Sequence, residues 1–216
     1  IKTQLMRKSI LAAIVAACTL AGCSAITGYP TDKAESYAKA IEVVRKNVDG
    51  ERFKIYHLDF SEADELSDNL GYIVVKMVNQ DDQAFTQTFF LNGQQPSRLR
   101  DLDRTFEAPQ YESTVGIDLA QIDPQLIASR IEEVKTRIPE GHTFKSVGRY
   151  LIEETVPAGN SVFNRNKKFG EQHTSFTVRF TENGKETETS AGQTTYLYYE
   201  AEATVGPDGT LTVKEN

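Results

Sequence analysis

Apolar positions recur along this chain with three different periods, and each period predicts a different element. Ser9 to Leu20 is an almost unbroken apolar run of 12 residues behind Arg7 and Lys8. Residues 32–48 show a helical period: Tyr37, Ile41, Val44 and Val48 form one stripe, Asp32 with Glu35 offers a capping-box start, and Asp49-Gly50 stops it. Strand-like segments then follow over 52–60, 71–79 and 83–91, the last alternating around Phe85 and Phe89. Gln80-Asp81-Asp82 is the turn before it and Asn92-Gly93 closes it. Residues 94–112 carry no clear period, and 114–119 has the composition of one further short strand.

The pattern then restarts. Asp123-Pro124 sets an N-cap and a first-turn proline. The stripe Ile127, Ile131, Val134, Ile138 follows the first stripe at a constant offset of 90 positions. Phe53-Lys54 and Phe144-Lys145 recur at 91, which reads as an internal duplication. Strands are expected over 142–156, 173–181, 194–205 and 210–214, with Asn183-Gly184 and Pro207-Asp208-Gly209 as turns. Short turns imply antiparallel pairing. The expected class is therefore α+β: two tandem units, each a helix followed by an antiparallel β-meander.

The first apolar run decides the compartment. Twelve residues are too few for a bilayer span, which needs roughly 20, and they suit a secretory signal core. Residues 1–5 precede Met6, the one plausible initiator. The run ends in Leu20-Ala21-Gly22-Cys23, which resembles the lipobox of bacterial lipoproteins; Val15-Ala16-Ala17-Cys18 is a poorer second match. The resemblance implies that residues 1–22 are a signal peptide removed in export and that the Cys23 sulfur carries a diacylglyceryl group. It also implies that the new amine is acylated. Two or more chains anchor stably where one binds marginally. Ser24, not Asp, follows the anchor, and under the sorting rule of enteric bacteria this directs the protein to the outer membrane, facing the periplasm. The expected divisions are 1–22 signal, 23–31 tether, 32–112 first unit with linker, and 113–216 second unit.

Charge changes the picture of partners. The chain has 24 Lys+Arg and 31 Asp+Glu. Removing residues 1–22 takes Lys2, Arg7 and Lys8 and no acid, leaving 21 against 31, a net of −10. An acidic domain disfavours nucleic acid and charge-driven binding to anionic lipid. Cys18 leaves with the signal and Cys23 becomes the anchor, so the folded part has no disulfide, thiolate metal site or thiol nucleophile.

Chemistry is sparse. The acids Asp59, Glu62, Asp64, Glu65 and Asp68 lack the spacing of a calcium loop. His57, His142 and His173 are scattered, and no nucleophile elbow or phosphate loop is present. No catalytic residue, metal or cofactor is expected. Two stretches suggest binding. The loop 157–172 is basic inside an acidic protein and holds Phe163, Arg165, Lys167, Lys168 and Phe169. Tyr196-Leu197-Tyr198-Tyr199, read as strand, puts Tyr196 and Tyr198 on one face as a tyrosine ladder. The expected function is a non-catalytic, lipid-anchored envelope protein that binds an envelope protein or polymer. An envelope-polymer hydrolase with its site between the units, or a small-ligand binder, is the alternative.

Overall fold

The computed structural model describes residues 28–102, 109–156, 168–190 and 193–214. The signal, Cys23 and most of the loop 157–172 lie outside them. In chain order the elements are α1 (Ala34–Asn47), β1 (Phe53–Glu62), β2 (Leu70–Asn79), β3 (Ala84–Phe90), β4 (Arg100–Asp101), α2 (Pro124–Lys135), β5 (His142–Glu154), β6 (Gln172–Glu182), β7 (Thr187–Ser190), β8 (Gln193–Tyr196), β9 (Tyr199–Val205) and β10 (Leu211–Lys214).

The α+β expectation of two tandem units is overturned. The fold is mostly β, with 43% of the described residues in strands and 16% in helices. Eight strands form one antiparallel sheet in the order β10-β9-β6-β5-β1-β2-β3-β4. The join is β1 with β5, where His57–Ser61 pairs with Arg149–Glu153. Two separate meanders would each leave a long edge strand with unpaired backbone groups. Pairing β1 with β5 removes both edges and merges the apolar faces into one core. The short pair β7–β8 stands apart from this sheet.

Both helices lie over the inner face. Leu58 opposite Ile152, and Phe60 opposite Tyr150, line it across the join. Tyr37 of α1 sits fully buried above them, its ring edge-on to Phe60 at 5.6 Å and to Tyr150 at 5.5 Å. Its hydroxyl donates to the Thr31 carbonyl at 2.8 Å. Ile127, Ile131 and Val134 of α2 are buried in the same cluster.

The helix starts differ. Asp123 caps α2 as expected, accepting from the Gln125 N–H at 2.8 Å. Asp32 does not cap α1; Lys33 holds that position without a side-chain bond. The Asp32 carboxylate instead meets Lys135 of α2 at 2.7 Å and Lys33 at 3.1 Å.

Residues 114–119 are not a strand. Gly116 has φ +93°, and the segment is held by the Glu154 carboxylate, which accepts from the Val115 and Gly116 N–H groups. The Ile117 N–H bonds to the Ile55 carbonyl at 2.7 Å, and Ile117 enters the core. Residues 194–205 are also not one strand. The chain breaks at Leu197 and Tyr198, between β8 and β9.

Candidate functional site

Widths explain where the inner face stays open. Helices pack at about 8–10 Å and strands at about 4.8 Å, so two helices cover roughly four of the eight strands. Against β1 and α1, where the Ile117 N–H meets the Ile55 carbonyl and Arg45 donates to the Leu119 carbonyl, Ile117, Leu119 and Ile122 supply further apolar cover. Towards β9 and β10 a groove of about 760 Å³ remains beside the C-terminal end of α2. Val134, Ile138 and Pro139 form one wall, and Ala201 and Val213 contribute to the floor. Phe180 and Tyr199 stack at 5.7 Å, and His142 meets both edge-on at 5.6 and 5.4 Å. Tyr199 is 51% exposed. The rim charges are already engaged: Arg137 with Glu133 at 3.1 Å, and Lys214 with Glu202 at 2.9 Å.

The tyrosine ladder does not form. Tyr196 ends β8 and is 59% exposed, whereas Tyr198 lies in the break. The Tyr198 hydroxyl donates to Glu65 and its ring lies 5.2 Å from the Arg179 guanidinium carbon. The hydrogen bond to Glu65, ahead of burial, raises its pKa. Of the basic loop, Lys168 and Phe169 are described and exposed. Lys168 pairs with Glu171 at 3.4 Å. Phe163, Arg165 and Lys167 lie outside the described residues.

The acidic cluster is largely occupied by protein groups. Asp59 pairs with Arg149 at 2.7 Å, Glu62 with Arg179, Glu65 with Tyr198, and Asp68 accepts from Thr31. These bonds tie β1 to β5 and β6, and the β1–β2 loop to Tyr198 and to the chain ahead of α1. On the outer face, register aligns Lys76, His57, Glu153 and His173 across four adjacent strands. His57 Nδ1 lies 3.5 Å from Glu153. The His57 hydrogen bond holds the Glu153 carboxyl below its usual range, against the opposing effect of burial. His57 and His173 are two strands apart, about 10 Å between backbones. Among the described residues no three His, Cys, Asp or Glu side chains converge on a cation position.

Sequence reasoning missed the groove because it lies between α2 and strands distant in the chain. Its one sequence signal was the aromatic density at 196–199. No family model, curated protein or solved structure matches the chain. Among the described residues no helix is long and apolar enough to cross a membrane.

Proposed function

We propose that this chain is an envelope lipoprotein, held in a membrane through acylated Cys23, whose domain binds another protein without acting on it chemically. The observation that supports this reading is the groove beside α2. It mixes apolar and aromatic side chains with Arg137, Glu200 and Lys214, its rim charges are paired within the domain, and among the described residues β10 is an edge strand of the sheet. Such a groove suits an apolar polypeptide segment. A polysaccharide would need free polar partners on the walls. The test is crosslinked capture from native envelopes with the wild-type chain, a Val213→Arg variant and a 162–170 deletion. The reading requires a protein captured by wild type and lost with Val213→Arg. Equal capture by both removes the groove from the account, and loss confined to the deletion moves binding to the basic loop.

One observation favours the hydrolase reading as second. His173 lines an outer-face depression of about 540 Å³ with Glu153, Glu154 and Glu171. The carboxylates there are engaged by His57, by backbone N–H groups and by Lys168 respectively. That leaves no carboxylate there without a structural partner. Turnover of labelled envelope polymer that disappears in a stably folded His173→Ala variant would favour hydrolysis over binding.

A further inference from the structure

The geometry points to a membrane-contact surface formed by Tyr196 and Leu197, which the lipid anchor holds against the bilayer interface; this rests on the reading of Cys23 as the anchor. The two side chains are 59% and 40% exposed and adjacent in sequence, at the end of β8. Their neighbour Tyr198 donates to Glu65 in the β1–β2 loop. That loop is compact, closed by the Ala63 N–H on the Asn69 carbonyl at 2.8 Å and by the Ser67 N–H on Asp64 at 3.0 Å. The same loop receives the start of the domain. The Tyr29 N–H donates to Asn69 Oδ1 at 2.7 Å, and a Cβ on Gly28 would lie 2.8 Å from that oxygen. The Thr31 N–H donates to Asp68 at 3.0 Å. The point where the chain enters the domain and Tyr198, the residue that follows the pair, therefore contact one small loop.

Cys23 is five residues before Gly28, and five residues reach at most about 18 Å. An acylated Cys23 confines this end of the domain to within that reach of the bilayer. Tyrosines favour the headgroup level, where the ring is shielded and the hydroxyl stays wet, and a leucine beside them enters the acyl boundary. Charge does not drive the contact: the exported part carries −10, and Glu65 and Glu200 lie close by. Insertion is therefore apolar and suits zwitterionic lipid.

The chain contains no tryptophan, so one introduced indole reports its own surroundings. Leu197→Trp and, beside β4 at the opposite edge of the sheet, Leu99→Trp are prepared as full-length lipidated proteins. Each is reconstituted in phosphatidylcholine vesicles carrying brominated acyl chains. The expected result is loss of emission for Leu197→Trp and none for Leu99→Trp, in vesicles that co-float both proteins. Co-flotation with equal emission at both positions overturns the contact while leaving the anchor intact. Failure of the wild type to float, or flotation of Cys23→Ser, removes the anchor reading and the contact with it. A blue shift at 197 that depends on protein concentration without lipid assigns the patch to a second copy and overturns the proposal.

Discussion

Tyr37 is the residue that ties the two halves of the sheet together. Its ring touches Phe60 of β1 and Tyr150 of β5, on either side of the join. Burial pushes its phenol well above the ordinary value, so it stays neutral and acts only as a donor to Thr31. Tyr37→Phe should cost about 1 kcal/mol, the net worth of one hydrogen bond. Tyr37→Ala should cost about 3–5 kcal/mol through the cavity it leaves. Denaturant unfolding of both variants measures the difference; equal losses would mean the ring is not packed as described. Two glycines give a second contrast. A Cβ on Gly71 would lie 2.6 Å from the Ala63 Cα, so backbone must move, and Gly71→Ala should cost about 1–3 kcal/mol. A Cβ on Gly148 meets the tip of Arg179, also at 2.6 Å. That side chain can swing at the expense of its pairing with Glu62, so Gly148→Ala should be the milder of the two in the same unfolding experiment.

At the scale of elements, two carboxylates do work that the sequence assigned elsewhere or not at all. Asp32 joins α1 to α2 rather than capping α1. Burial acts to raise its pKa, but the hydrogen bonds and charges of Lys135 and Lys33 together outweigh it and hold the carboxyl below 3.8. A folded-state pKa below the unfolded one gives stability that is complete above the unfolded value and is lost as pH falls through the folded value. Acid unfolding of Asp32→Asn should therefore depend less on pH below 3.8 than that of wild type. Identical profiles would show that the pair contributes nothing. Glu154 holds the segment ahead of α2 by two backbone donors. Glu154→Ala should cost about 1–3 kcal/mol and raise amide exchange at Val115 and Gly116 first; exchange unchanged at those two amides would contradict the clamp. Asp123-Pro124 was legible because capping is local chemistry. Asp32 was not, because its partner is 103 residues away.

For the whole molecule, periodicity located both helices and most strands, since side-chain period is a property of each segment. It did not reveal that β1 and β5 pair, because register across 96 positions leaves no local trace (His57 opposite Glu153). That one pairing turns two expected units into a single, mostly β sheet. The sheet is wider than its two helices, and the uncovered strip beside β9 is the groove. Tyr196 to Tyr199 drew notice as a ladder, and the break in the strand sends Tyr198 to Glu65 and leaves its neighbours at the surface. The proposed anchor at Cys23 is what would give groove and surface a common setting. It is tested most directly by metabolic labelling with palmitate of the wild-type chain and of Cys23→Ser, expressed in a bacterium that processes lipoproteins. The account predicts label in the wild type, none in Cys23→Ser, and release of the variant from the membrane fraction. Label retained by Cys23→Ser, or absent from both, would contradict it.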